Sequence, residues 1–343
     1  MNIGILTGGG DCPGLNAAIR GITRRSIDQY NYNVVGIKNG WDGLVKGEVE
    51  PLTLLSISGI LPKGGTILGT SRKNPLKKEE DLNKVKENIK KFDIDVLAAI
   101  GGDDTLSVAD KLWEMGIQCV GMPKTIDNDI SGTDYTFGFD TAVSIVTDAI
   151  DRLHTTAESH HRVMVIEVMG RHTGWIAVVS GMAGGADCIL IPEVPFSISN
   201  MVKLIKQRQN RGKNFSIVVV AEGAKPEESG DYISSSGKVD DFGHKILGGI
   251  GELVGEAIEK ESGVDTRVTK LGHIQRGGTP TGFDRVLATR MGVAAADLVR
   301  DKKFGYMVAL QGNKITSIPI KEAISVQKKV DLELYDIAKV FFG

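Results

Sequence analysis

Cysteine, aromatic residues, net charge and long apolar runs are all scarce in this chain. Its 343 residues include three cysteines, Cys12, Cys119 and Cys188. They are odd in number and widely spaced, so they offer neither a disulfide framework nor a metal-ligand pair and fit a reducing compartment. Aromatic residues make up 6% and the formal net charge is -2, which gives no electrostatic reason to expect a nucleic-acid partner. No apolar run approaches the roughly 20 residues of a membrane span, and Met1 leads into Ile3-Gly4-Ile5-Leu6 without the basic segment of a signal peptide. The expectation is a cytoplasmic globular protein with no membrane partner. A phosphate-binding loop ending in Gly-Lys-Ser/Thr is missing too, and a dinucleotide fingerprint beginning at Gly8 fails where Pro13 replaces the required glycine.

What is present is a long, ordinary globular composition, 41% hydrophobic and 24% charged, which favours two domains. Short aliphatic runs recur at Ile3 to Leu6, Val34 to Ile37, Val96 to Ile100, Cys119 to Met122, Val163 to Val168, Cys188 to Ile191 and Ile217 to Val220. They read as buried parallel strands. Amphipathic stretches lie between them at Ala17 to Asp28, Leu106 to Met115, Thr141 to Ala157, Met201 to Gln209 and Ile246 to Glu261, and these read as helices. Alternating strand and helix is the pattern of a doubly wound α/β sheet, whose ligands bind beyond the carboxyl ends of the strands. Turn formers dominate Gly223 to Asp241, which reads as a surface excursion.

The loops after the strands carry the chemistry. Gly8-Gly9-Gly10-Asp11-Cys12-Pro13-Gly14 presents bare backbone amides before a helix, suited either to a tight turn or to a phosphate. Gly101-Gly102-Asp103-Asp104-Thr105 sets adjacent carboxylates beside glycines, where Mg²⁺ could be held by one or two acids plus phosphate oxygens. Pro123-Lys124-Thr125-Ile126-Asp127-Asn128-Asp129 supplies a cation for phosphate and a base for an alcohol, or else an exposed acidic turn. His160-His161-Arg162, Met169-Gly170-Arg171, Arg267 and His273-Ile274-Gln275-Arg276 together offer the donors that recognise a doubly charged phosphate ester.

Taken in order, Gly9 to Arg20, Pro123 to Asp129, Val168 to Arg171 and Leu271 to Gly278 resemble the signatures of the 6-phosphofructokinase family across nearly the whole chain. The resemblance implies two Rossmann-like α/β domains with the active site in the cleft between them. One comprises residues 1–138 plus about 276–325 and holds the phosphoryl donor and Mg²⁺; the other comprises 139–275 plus about 326–343 and holds the sugar phosphate. It also implies that Asp127 is the general base for the 1-hydroxyl of fructose 6-phosphate and that Thr125 lines the sugar site. Asp103 would bind Mg²⁺, Asp129 would support the metal and phosphate geometry, Gly10 would offer its backbone to the donor, and Arg72 would lie near it. Met169, Gly170, Arg171 and Glu222 would contact the sugar phosphate, as would His273 and Arg276 at its 6-phosphate. Arg162 and Arg267 match residues that reach across from a neighbouring subunit, implying a homodimer or homotetramer with shared sites.

Asp104 with Lys124, where users of ATP typically carry glycine, resembles the pyrophosphate-dependent branch. A carboxylate at 104 would occupy the space of the α-phosphate of ATP. At about 4 Å and an effective dielectric near 20, two unit charges repel by about 4 kcal/mol. Lys124 offsets part of that repulsion, so steric exclusion weighs as heavily as charge. Lys124 can also stabilise the charge of the transferring and departing phosphates. An ATP-dependent enzyme is the alternative, supported by the length of the Gly223 to Asp241 excursion. A catalytically silent regulatory subunit would be expected to lose Asp103, Asp127 or Arg171, and all are present. His154 and Asp187 stand where allosteric relatives resemble one another in carrying arginine and glutamate, which argues against the same effector site.

Overall fold

The computed structural model describes residues 1–227 and 248–343 and divides the chain into two units, Met1–Thr141 with Arg276–Gln327, and Ala142–Gln275 with Lys328–Gly343. The first opens with β1 (Asn2–Thr7), α1 (Leu15–Tyr30), β2 (Asn33–Ile37), α2 (Gly40–Lys46), β3 (Val49–Leu52), α3 (Glu79–Lys91), β4 (Val96–Gly101), α4 (Asp103–Glu114), β5 (Cys119–Thr125) and the short β6 (Phe137–Gly138). Helix α5 (Phe139–His160) carries the chain into the second unit, built from β7 (Val163–Val168), α6 (Trp175–Ala183), β8 (Cys188–Leu190), α7 (Ile198–Asn210), β9 (Ser216–Ala221), α8 (Ile250–Ser262) and β10 (Thr266–Lys270). The chain returns to the first unit for α9 (Gly282–Arg300), β11 (Tyr306–Gln311), β12 (Lys314–Pro319) and α10 (Ile320–Ser325), and ends in the second with α11 (Leu332–Lys339). Every strand expected from the aliphatic runs is present, as are the expected helices. Of the Ile246 to Glu261 stretch, residues 246 and 247 lie outside the described residues, as does 228–241 of the expected excursion.

The first sheet runs β12-β11-β5-β4-β1-β2-β3, with β6 added beside β5. Its centre is parallel, but β3 pairs antiparallel with β2, and β12 antiparallel with β11. The sheet is therefore mixed, and neither edge strand reads as a buried run: β3 carries Glu50 and Pro51, and β12 is half-exposed. Proline is tolerated at an edge because no further strand needs its missing amide. The central strands bury both faces. Leu6, Ile37, Leu97 and Ala99 join Trp41, Leu44, Val85, Leu106 and Leu112 of the helices in one core, while Ile3 and Ile5, on the opposite face of β1, are also fully buried. Helices α1 and α9 approach so closely that a β-carbon on Gly21 would lie 2.8 Å from the Thr289 carbonyl oxygen, and one on Gly292 would lie 2.4 Å from that of Ala18. Only glycine allows that crossing.

The second sheet, β10-β7-β9-β8, is parallel throughout. Val163, Val165, Val218, Val220 and Leu190 pack with Met201, Val202 and Ile205 of α7 and with Ile250, Val254 and Ile258 of α8. Among the described residues no helix is long and apolar enough to cross a membrane.

A buried polar network in the first unit ties the starts of two helices together. Asp284, fully buried in the first turn of α9, accepts from the Thr141 amide at 2.8 Å and from its hydroxyl at 2.6 Å. Thr281 caps α9 through the Asp284 amide and donates to Asp140 at 2.6 Å. Burial raises the Asp284 carboxyl to about 6, against hydrogen bonds from Thr141 and the Gly138 amide that lower it. Because the folded-state value exceeds the ordinary one, the unfolded chain releases this proton first. The group's contribution to stability is full below about pH 4 and is lost as pH rises through about 6. Asp284→Asn is expected to remove on the order of 3 kcal/mol of that pH dependence, read from urea unfolding of both proteins across the interval.

Candidate active site

In the first sheet the chain leaves β1 for β2 on one side and later crosses to β4 on the other. The strand order reverses between β1 and β4, and in open α/β sheets ligands bind beyond the carboxyl ends at such a switch point. Three segments meet there: Gly8–Gly14 after β1, Gly102–Asp104 after β4, and Lys124–Asp129 at the end of β5. The first two are wedged by Thr105, whose side chain lies within 2.5 Å of where β-carbons on Gly8 and Gly101 would stand. The first loop is pinned by the Gly9 amide donating to the Ser71 carbonyl at 3.0 Å and by Thr70 Oγ1 donating to the Gly9 carbonyl at 2.6 Å. The segment around Arg72 is thereby set beside the glycines.

Lys124 is 3% exposed, and its ammonium donates to the Gly10 carbonyl. Burial, assisted by the charge of Arg276, holds its pKa below the usual lysine value, while Cys12, Asp11 and Asp127 pull the other way. The Arg276 guanidinium lies over the same loop. Its Nη1 donates to the Asp11 carbonyl at 3.4 Å, and a β-carbon on Gly10 would stand 2.4 Å from it. Strand β6 pairs Phe137 with Lys124 and Gly138 with Thr125, which fixes the height of the lysine.

The acids form a second group in this unit. Asp103 opens α4 and accepts from the Asp104 amide at 2.9 Å; both stand in the helix's first turn, where negative charge is favoured. Thr125 Oγ1 accepts from the Asp127 amide at 3.1 Å. Asn128 holds the turn in a left-handed conformation (φ 51°) while its Oδ1 accepts from the Thr136 amide at 3.0 Å. Burial raises the Asp129 carboxyl to about 7, with the charges of Asp127 and Asp103 adding to it. Three carboxyls this close in charge suit a divalent cation. Yet no group of three or more His, Cys, Asp or Glu among the described residues is arranged to hold an ion by itself. That combination fits Mg²⁺, which takes one or two carboxylates and completes its shell with phosphate oxygens and water.

In the second unit, the loops after β7 and β9 lie side by side. The Glu222 amide donates to the Val168 carbonyl at 2.8 Å and the Gly223 amide to the Gly170 carbonyl at 3.0 Å. Gly170 is left-handed (φ 139°). The Met169 amide donates to Oε1 of buried Gln275 at 3.2 Å, so Gln275 fixes the loop that carries Arg171. Met169, Gly170, Arg171 and Glu222 thus form one group. Arg162 and Arg267 form another, each paired at 2.5 Å with a different oxygen of Asp265 at the edge strand β10. His273 is exposed on a short 3-10 turn, Gly272–Arg276. Asp187 is engaged internally by Arg208 at 2.8 Å and by the Ile217 amide at 2.9 Å, and the His154 ring stacks edge-on against Phe215 at 5.0 Å.

Residues 2–299 match the phosphofructokinase family. The chain belongs to the phosphofructokinase family. Its phosphofructokinase relatives include the pyrophosphate--fructose 6-phosphate 1-phosphotransferase of Streptomyces coelicolor, 54% identical over 100% of both chains. The ATP-dependent 6-phosphofructokinase of Corynebacterium efficiens is 53% identical over 100% of this chain and 99% of the other. Among solved phosphofructokinases, the Pichia pastoris enzyme in its T-state superposes with a TM-score of 0.84 at 34% identity, covering 99% of this chain, which spans 36% of the larger one. The phosphofructokinase fold is therefore secure, with its mixed first sheet and parallel second sheet. Gln275, Thr105 and Asn128 support the site but are not singled out by the sequence, since an amide or hydroxyl inside a motif shows no periodicity; Asp284 lies outside every motif and reads as an ordinary first-turn acid of a helix.

The Arg171 loop is held at its minimum spacing. A β-carbon on Gly223 would stand 1.9 Å from the Arg171 carbonyl oxygen, a main-chain atom that cannot rotate away. Gly223→Ala is expected to destabilise the protein by about 1–3 kcal/mol, visible as a lower urea midpoint with an unchanged slope.

Proposed function

We propose that the chain transfers a phosphoryl group from pyrophosphate to the 1-hydroxyl of fructose 6-phosphate, giving fructose 1,6-bisphosphate and phosphate. The reaction runs in both directions, because the bond broken and the bond made are of similar energy, and it serves glycolysis or gluconeogenesis. The observation that carries this reading is the joint presence of Asp104, in the first turn of α4, and the buried Lys124 at the glycine loop. Full-length likeness to the Streptomyces coelicolor enzyme supports the same donor.

In this reading the first unit holds the donor and the metal and the second holds the sugar phosphate. Asp127 accepts the proton as the sugar oxygen attacks the terminal phosphorus. Lys124 offsets the charge on the transferring group and on the departing phosphate. Asp104 denies the α-phosphate of a nucleotide its place. Asp103, supported by Asp129, would hold Mg²⁺, which when bound neutralises phosphate charge and keeps the phosphates in line. Thr125 and Gly10 line the sugar and donor positions, and Met169, Gly170, Arg171, Glu222 and His273 bind the sugar phosphate. Arg162 and Arg267 serve a neighbouring copy in a homodimer or homotetramer; Arg267 on the edge strand β10 and Arg162 just before β7 are both partly exposed, which supports that role. The enzyme acts in the cytoplasm.

Purified protein with fructose 6-phosphate and Mg²⁺ is expected to turn over with pyrophosphate much faster than with ATP. The Asp104→Gly, Lys124→Gly double variant should gain ATP use and lose pyrophosphate use, and an unchanged donor preference would refute the assignment. Asp127→Asn is expected to lower kcat by about 10²–10⁴ with little change in KM, the size of effect that loss of a general base produces in steady-state assays.

A further inference from the structure

Asp129 closes the acidic turn that follows β5, and the charges of Asp127 and Asp103 both act on its carboxylate, to which Thr125 supplies a hydrogen bond. A further donor comes from 198 residues away in the chain: Gln327 Nε2 donates to Asp129 Oδ2 at 3.3 Å. Because a carboxylate only accepts, it fixes which end of the amide faces it. The main chain of Gln327 is held on both sides in sequence. It bridges antiparallel with Ile130, the residue after Asp129, and Ser131 Oγ donates to the Val326 carbonyl at 2.6 Å. Past Gln327 the chain enters the second unit, where Trp175 Nε1 donates to the Lys328 carbonyl at 3.2 Å and the Val330 amide donates to Glu193 at 3.0 Å. Gln327 is only half-buried, so no core packing calls for it. What the acids call for is a donor without charge: a lysine would compete with a cation for them, and a further acid would repel them.

We propose that Gln327 is a positioning residue for the metal site: its amide occupies one oxygen of the Asp129 carboxylate and fixes that group's rotation, leaving the other oxygen in place to support bound Mg²⁺. The inference rests on the reading of Asp103 and Asp129 given above and deepens it, adding to the acids the residue that orients one of them. A carboxylate set near two others gains by rotating or turning away from them, and ordering it when a cation arrives costs conformational entropy. A neutral donor already bonded to it removes part of that cost and takes none of its charge. Outer partners of this kind are worth about 10–100-fold in metal affinity. The bond here is long and half-exposed, which places it near the lower end of that range.

The test is titration of the whole enzyme with Mn²⁺ in the presence of methylenediphosphonate, with free Mn²⁺ read by electron paramagnetic resonance. It compares the natural protein, Gln327→Ala and Gln327→Met, and repeats each change together with Asp129→Asn. Methionine keeps the length and volume of glutamine without its N–H groups, so it separates the hydrogen bond from packing. Both variants are expected to weaken Mn²⁺ binding by about tenfold. In the Asp129→Asn background the same changes should alter affinity by less than about twofold, because the carboxylate they act through is gone. Full affinity in Gln327→Met, or an equal loss in both backgrounds, would overturn the proposal. The natural protein tests the underlying reading separately. If it takes up Mn²⁺ only with the methylene analogue of ATP, the pyrophosphate assignment has failed, and the same comparison run with that analogue decides the role of Gln327.

Discussion

A fully buried ammonium held by a neutral carbonyl is the constraint on which the rest of the first unit depends. Lys124 sits at the end of a central strand, where water cannot reach its charge. Without a facing acid, its charged form is stabilised mainly by the Gly10 carbonyl and, at a distance, by Asp11 and Asp127. Such a group persists only when its surroundings fix it. The glycine loop must then run close over β5, which requires residues without side chains at Gly8 and Gly101 and a threonine small enough to fill the gap between them. The loop cannot relax outward, because Ser71 and Thr70 hold it from the other side.

The support extends outward from β5 in layers. Strand β6 fixes the register of Lys124 and Thr125, and Cys12 donates to its Phe137 carbonyl at 3.5 Å. The Gly138 amide is in turn engaged by Asp284, whose other partners begin α5. A carboxyl buried in the first turn of α9 thus governs, through two residues of strand, the position of the lysine at the glycine loop. Charge carries the argument on the acidic side as well. Asp103 and Asp127 raise the proton affinity of Asp129, while the cations over the glycine loop rest on main-chain carbonyls. Phosphates and a metal are the groups that would join the two sets of charges.

Many of these features were legible in the amino-acid sequence. Strands β1, β2, β4, β5, β7, β8 and β9 stand where β-branched and aliphatic runs place them, since a strand buried on both faces has no polar alternation to blur it. The chemistry-bearing loops could be found by looking just past the carboxyl end of each run. Edge strands β3 and β12 escaped because their sequences, Val-Glu-Pro-Leu and Lys-Ile-Thr-Ser-Ile-Pro, read as turn and half-polar surface. The crossing of α1 and α9 rests on Gly21 and Gly292, which on paper look like weak points in helices. Gln275 and Asp284 gave no signal, because a buried polar group is informative only once its partners are known.

In the proposed reading, donor choice depends on the length of ligand that the switch point admits. A nucleotide would then extend past the transferring phosphates toward the start of α4, where its α-phosphate would meet a helix N-terminus that otherwise favours anions. Asp104 fills that N-terminus with the protein's own negative charge, so the attraction is already satisfied internally. Pyrophosphate, in that reading, ends before it reaches that point, and its charge is drawn instead to the lysine at the glycine loop. One carboxylate and one ammonium, at the ends of adjacent strands, would therefore move the favourable field from the helix start to the loop. The fold itself need not change for the donor to change.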